Sequence, residues 1–404
     1  MPSWEIRVVA DRAEQTPPKA RNSYPAWAPR FWQGMTAGAL WRLLARHHFR
    51  VHPLRWPLLF TCCLASICNT LLRAFQETFF GFRLSRTPLK DGPIFIIGHW
   101  RSGTTMLHEM LVLDQRYTFP TTYQCMAPHH FLVSAPWFTK MRFLLPANRP
   151  MDNMPAGWDH PQEDEFALCN MGLPSPYAAM AFPDDWRQYQ DYLSLENVPA
   201  DERKRWMNSL KWFLQRLTFL APKPVILKSP PHLARVKWLL ETFPTARFVH
   251  IVRDPYAVYS STIKLWKSLY ETQGLQISKY EDLDEYVFSN FERMYDAFER
   301  HRSLVDPRRF FELRYEDLVR NPTEQLRQLY EQLQLGGYEE VRPRLEQYLA
   351  NVRDYKTNKH ELDPELRRKI EDRWGPYMRK YGYCQEPAAN GACQLEPAGN
   401  VSAH

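Results

Sequence analysis

Eight consecutive residues, Gly98-His99-Trp100-Arg101-Ser102-Gly103-Thr104-Thr105, gather three hydroxyls and one guanidinium around two glycines. They lie between Pro93–Ile97, an apolar run that reads as a buried strand of parallel-sheet type, and Thr104–Leu113, whose apolar positions recur at helical spacing. In such a strand–turn–helix the backbone N–H groups converge on one concavity, and the helix N-terminus adds partial positive charge. The chemistry this suits is the grip of anionic oxygens, with Ser102, Thr104 and Thr105 as hydroxyl donors. His99 and Trp100 fall inside the turn as nucleotide contacts, the Trp100 indole either stacking on a base or packing against the sheet. The glycine spacing is that of the ATPase P-loop, but Thr104 occupies the position of its lysine, and the cation is Arg101, two residues before the second glycine. No acidic strand end suited to Mg²⁺ follows. The pattern predicts an anion held by protein cations without a metal, and it disfavours the alternative of a P-loop kinase or NTPase-like nucleotide-binding protein.

A second anion site is predicted at Val252-Arg253-Asp254-Pro255. Arg253 follows an apolar run (Arg247–Val252), Pro255 suits the first turn of a helix, and Ser261 lies two turns along it. A general base is sought in Asp159-His160-Pro161-Gln162-Glu163-Asp164-Glu165-Phe166, where Glu163 and Glu165 are the first candidates and His160 the second. Crowded carboxylates raise one another's pKa toward the range a general base needs. The same cluster also reads as an acidic helix start capped by Asp159.

Positioning these groups requires a sheet. Val225–Leu227, Arg247–Val252 and Phe310–Leu313 read as further strands, alternating with helices over Asp201–Leu220, Leu233–Phe243, Tyr256–Leu269 and Thr323–Leu335. Alternation of this kind predicts an α/β fold, a parallel sheet wrapped by helices. The first two strands are too far apart for a simple crossover, so residues 119–200 are expected to form an insertion over the sheet ends, where α/β proteins bind ligands. The expected organisation is an N-terminal arm and helical extension over 1–90, one catalytic domain over 91–383, and a disordered tail over 384–404.

Composition narrows the class. The 404 residues carry 52 Lys and Arg against 45 Asp and Glu, and 44% are hydrophobic, which excludes a disordered chain. Most of the +7 net charge falls in the first sixty residues, a solvated basic arm rather than a nucleic-acid groove. Seven cysteines form no CxxC pair, fitting reduced thiols in a cytoplasmic setting. The first thirty residues lack the apolar core of a secretory signal. Trp56–Leu72 is the most apolar run, and it reads as a buried or interfacial helix rather than a transmembrane span. With its basic neighbours, the helical stretch 36–82 could rest peripherally on anionic lipid. No oligomeric state can be read.

The two anion motifs together, PIFIIGHWRSGTT and RFVHIVRDPYAVYSS, resemble those of the 3′-phosphoadenosine-5′-phosphosulfate (PAPS)-dependent sulfotransferases, in particular bacterial members related to the tyrosyl-protein branch. The resemblance runs from about residue 90 to 383. It implies a P-loop-like sulfotransferase fold, PAPS as co-substrate, no metal, and transfer of a sulfuryl group to a hydroxyl or amine by in-line displacement. Gly98 to Thr105 then match the 5′-phosphosulfate loop, and Arg253 with Ser261 the 3′-phosphate motif. Lys228, in VILKSP, matches a catalytic lysine that would act with Arg101, and Tyr315, in RYEDL, matches a tyrosine near the nucleotide. Lys356 and Asn358, in KTNKHEL, match a late loop over the 3′-phosphate. The chain departs from the tyrosyl-protein branch in Phe119–Met126, which lacks that branch's carboxylate. The aromatic and Met-rich insertion points to an apolar or lipid-like acceptor.

Overall fold

In a computed structural model of the chain, which describes residues 28–90, 92–141, 143, 145, 157–351 and 362–383, four parallel strands stand in the order β2-β1-β3-β4. They are β1 (Ile94–Ile97), β2 (Ile226–Lys228), β3 (Arg247–Val252) and β4 (Phe310–Arg314). β1 is central, with Ile96 opposite Lys228 on one side and Val249 on the other. Ile251 of β3 pairs with Leu313 of β4. Strands covered on both faces need apolar side chains at every position, which is why IFII reads as a continuous run rather than an alternation. Their period of two sends Phe95, Ile97 and Phe248 into one core, and Ile94, Ile96, Val249 and Ile251 into another with Leu107, Leu111 and Leu326.

The helices are α1 (Ala37–Arg46), α2 (Trp56–Ser85), α3 (Thr104–Leu111), α4 (Thr122–Met126), α5 (Phe131–Phe138), α6 (Asp164–Asn170), α7 (Asp191–Ser194), α8 (Ala200–Leu220), α9 (Val236–Thr242), α10 (Pro255–Gln273), α11 (Leu283–His301), α12 (Tyr315–Arg320), α13 (Pro322–Gln332), α14 (Tyr338–Asn351) and α15 (Pro364–Tyr381). Every expected strand forms, and α8 buries the expected face of Trp206, Leu210, Phe213, Leu214 and Leu217. The helix expected over Leu233–Phe243 is divided: Pro230–Arg235 forms a 3-10 turn and α9 begins at Val236. Between β1 and β2, α4 to α8 and further 3-10 turns pack over the sheet.

Two expectations are corrected. The acidic helix start is not capped by Asp159: α6 begins at Asp164, and Glu163 occupies the cap position. Of the two readings of Trp56–Leu72, buried or interfacial helix, the buried one does not hold. The run continues as the 30-residue α2, with Phe60, Leu71, Phe79 and Phe82 turned outward. The predicted tail, and Lys356 with Asn358, lie outside the described residues.

Candidate active site

β1 delivers the chain to a tight turn whose glycines are required by close packing. A Cβ on Gly98 would stand 2.7 Å from the Ile251 carbonyl oxygen and from Ser102 Oγ. Gly103 has φ +104°, and a Cβ there would press within 2.4 Å of the Tyr315 ring. Ser102 Oγ donates to the His99 carbonyl, closing the turn at 2.8 Å. Between the glycines Arg101 adopts φ 68°, a left-handed conformation that costs a side-chain-bearing residue roughly 1 kcal/mol or more and that clusters at functional sites.

That conformation aims Arg101 at α10, where its Nε donates to Ser261 Oγ at 2.7 Å. Arg253, leaving β3, donates through one guanidinium nitrogen to the Arg101 carbonyl at 2.9 Å. Its guanidinium lies over the Tyr315 ring, 4.1 Å from the centroid. Asp254 accepts from the N–H groups of Tyr256 and Ala257, so it caps α10 rather than neutralising Arg253. The first loop, Arg253, Ser261 and Tyr315 thus form one contiguous cationic ridge along the C-terminal ends of β1 and β3.

A second constellation flanks it. Lys228 ends β2, and its Nζ lies 2.6 Å from Glu163 Oε1 and 3.4 Å from Thr105 Oγ1. The other Glu163 oxygen accepts from the Tyr177 hydroxyl, which itself accepts from Trp100 Nε1 at 3.4 Å. Burial and the neighbouring Glu163 carboxylate hold the Tyr177 phenol well above its ordinary pKa, so it stays a donor. Lys228 and Glu163 are mostly, not wholly, removed from solvent, with side chains 3% and 14% exposed.

Of the three base candidates only Glu163 meets this lysine. Glu165 is corrected to a structural role: it is fully buried against Arg235 and accepts from Ser175 Oγ at 2.6 Å. Its neighbour Asp164 is equally buried. Burial disfavours its charge, but the His232 imidazole at 2.7 Å and the Ser229 hydroxyl at 2.8 Å outweigh that and leave its pKa below the usual carboxylate range. His160 is exposed, and it is its carbonyl that accepts from the Thr122 N–H at 2.9 Å. His99 and Trp100 are turned into the core: the His99 ring packs on Phe291 and its pKa is pushed down to about 3 by burial, while Trp100 packs on Trp266. Any ligand contact at these two positions therefore falls to their backbone. No local sequence motif marks Tyr177. Among the described residues no group of three or more His, Cys, Asp or Glu stands together as a metal site.

A four-stranded parallel sheet whose first strand runs through a glycine turn into a helix defines a fold of the P-loop-like kind. Residues 93–340 match the Sulfotransferase family, and the chain belongs to that family and is a sulfotransferase. Over 376 residues it is 49% identical to the omega-hydroxy-beta-dihydromenaquinone-9 sulfotransferase Stf3 of Mycobacterium bovis (strain ATCC BAA-935 / AF2122/97), a match spanning 92% of this chain and 95% of the relative. The protein of the same name from Mycobacterium tuberculosis (strain CDC 1551 / Oshkosh) is similar to the same extent. The fold is also that of the crystal structure of sulfotransferase STF1 from Mycobacterium tuberculosis H37Rv, with TM-score 0.61 at 19% identity over 87% of this chain and 94% of that one. The structure of sulfotransferase STF9 from Mycobacterium avium gives TM-score 0.57 at 20% identity over 76% and 81%.

Proposed function

We propose that this enzyme moves a sulfuryl group from PAPS to a hydroxyl on an apolar, lipid-like acceptor. The observation that carries the proposal is the contact of Arg253 with the Arg101 carbonyl, because it joins the two anion sites into one cradle for a ligand charged at both ends. The residues fit such a donor. The crowding around Gly103 leaves the turn bare backbone beside the Tyr315 ring, and Arg101, Lys228 and Arg253 supply cations on one side of the sheet. Thr104 and Thr105, with the N-terminus of α3, would hold the 5′-phosphate; Arg253 and Ser261 would hold the 3′-phosphate. PAPS, when bound, supplies an activated sulfuryl group and a 3′-phosphate handle.

The chain's own residues then have distinct tasks. Lys228 stands between Thr105, on the phosphate side, and Glu163, on the other. Turned toward the phosphate, its ammonium offsets the negative charge that builds on the leaving group. Turned away from Glu163, it frees that carboxylate to take the acceptor's proton. The Tyr177 hydroxyl, donating to its second oxygen, keeps Glu163 aimed. Arg101, fixed by Ser261, completes the positive rim.

Support for an apolar acceptor comes from the surroundings of Glu163 and from the relative. Tyr177 packs on Phe166, which stacks on Phe31 at 3.8 Å, so the carboxylate emerges from an aromatic layer. The 49% identical Stf3 is named for a hydroxylated dihydromenaquinone. The test is sulfuryl transfer from labelled PAPS to a panel of long-chain prenyl or quinone-derived alcohols, simple phenols and tyrosine peptides. Turnover is expected with the long-chain alcohols. Turnover confined to peptides or polar phenols would contradict the proposal.

A further inference from the structure

Helix α2 is amphipathic the wrong way round for a helix that faces water. From Phe60 through Leu64, Ile67, Leu71 and Phe75 to Phe79, apolar side chains recur every three or four residues and are between 51% and 66% exposed. On the opposite face Ser66, Asn69 and Gln76 are buried. Gln76 donates to the His129 carbonyl at 2.8 Å and accepts from the Leu132 N–H at 3.0 Å. Asn69 donates to the carbonyls of Gln33 and Met35 at 2.7 and 2.9 Å. Glu77, the one acidic residue between positions 37 and 90, is paired with Arg216 at 2.6 Å.

The charge around the stripe is equally one-sided. Residues 37–90 hold eight Lys and Arg against that single glutamate, which equals the formal +7 of the whole chain. Arg50, Arg73, Arg83, Arg86 and Lys90 are exposed, and Arg86 folds its guanidinium over Phe82 at the end of the stripe, 3.9 Å from the ring centroid. An apolar stripe with aromatic rings and a basic rim matches the depth profile of a bilayer interface, where rings sink to the acyl boundary and guanidinium groups meet anionic headgroups. A second copy of the chain would bring an identical basic rim against this one, so charge favours lipid over self-association.

We propose that α2 docks the enzyme on an anionic bilayer, lying in the membrane plane along its length of about 45 Å with the Phe60–Phe79 stripe in the interface. The segment Pro53–Ser85 is long and apolar enough to cross a membrane. It is nonetheless tied to the domain at several points, from Gln33–Thr61 to Gln215 and the Ser85 carbonyl, and a spanning pose would break those bonds. The docking also places the protein where a lipid-like acceptor resides. Phe31, beside the Gln33 that bonds α2, stacks on Phe166 of α6, the helix whose cap residue is Glu163. Docking itself does not depend on the acceptor's identity.

The experiment is vesicle co-sedimentation of the full chain, with phosphatidylcholine alone and with two parts phosphatidylcholine to one part phosphatidylglycerol. Wild type is expected to pellet with the mixed vesicles and much less with the neutral ones. A Phe60→Ser, Ile67→Ser, Phe75→Ser, Phe79→Ser variant is expected to lose partitioning by at least about tenfold. An Arg73→Glu, Arg83→Glu, Arg86→Glu variant should lose the preference for anionic vesicles. Both should bind adenosine 3′,5′-bisphosphate as wild type does, which shows that they are folded and separates this proposal from the donor site. Equal pelleting of wild type and the serine variant overturns it. So does a wild type that stays in the supernatant as a dimer, or one that resists release from membranes by alkaline carbonate, the mark of a spanning helix.

Discussion

Lys228 and Glu163, 65 residues apart, meet at 2.6 Å beside the first turn of α3. Neither lies in the glycine loop, yet their contact joins the end of β2 to the start of α6. The pair is the structural link between the two halves of the proposed reaction.

If these two side chains act as a unit, their losses will not add. Glu163→Gln is expected to lower kcat by roughly 10²–10⁴ with nucleotide affinity little changed. Lys228→Ala is expected to cost about 10²–10³ in kcat, and the double variant little more than the worse single. Single-turnover transfer with labelled PAPS reads this. Multiplying losses, or a Glu163→Gln variant of normal rate, would remove the pair from the chemistry.

Glu165 should behave differently from its neighbour two residues away. Arg235→Ala leaves a buried carboxylate without its partner and is expected to destabilise the fold by about 3–5 kcal/mol. Glu165→Gln should likewise lower thermal stability while the folded fraction keeps its rate per molecule. Thermal melting alongside active-site titration checks both. A stable but inactive Glu165→Gln would mean that Glu165, not Glu163, is the base.

Stability should also fall on mild acidification. Burial pushes the imidazoles of His99, His108 and His129 down to about 3. In the unfolded chain such rings take up protons near pH ~6.5. Below that pH the unfolded state binds more protons than the folded one, so the stabilisation is complete above it and lost as pH falls toward 3. Each ring contributes a slope of roughly 1.4 kcal/mol per pH unit within that window. Denaturant midpoints at pH 7 and pH 5 should differ clearly, and His99→Phe should flatten the dependence. Equal midpoints would contradict the burial argument.

The parts of the site that were legible in the sequence are those built by consecutive residues. Gly98 to Thr105 and the Arg253–Ser261 pair each belong to one strand–turn–helix, so apolar runs, glycines and hydroxyls carry the signal locally. Choosing between Glu163 and Glu165 was not possible, because residues two apart diverge only once the helix start is known. With the cap at Glu163, that side chain faces Lys228 and Glu165 turns into the core. Tyr177 reaches Glu163 only through the folding of the insertion. The long helices α14 and α15 each carry an internal proline that interrupts the helical pattern. The sequence leaves α2 open between a buried and an interfacial helix for a different reason. Apolar residues are normally the buried ones, and only tertiary partners for Asn69 and Gln76 reveal the reversal.

The account rests on both phosphates of one nucleotide being held on the ridge that Arg101 and Arg253 share. Calorimetric binding of adenosine 3′,5′-bisphosphate and of adenosine 5′-monophosphate to wild type and to Arg253→Ala tests this most directly. The predicted result is a loss of about 10- to 100-fold for the bisphosphate and almost none for the monophosphate. Equal losses for the two ligands, or none for either, would contradict it.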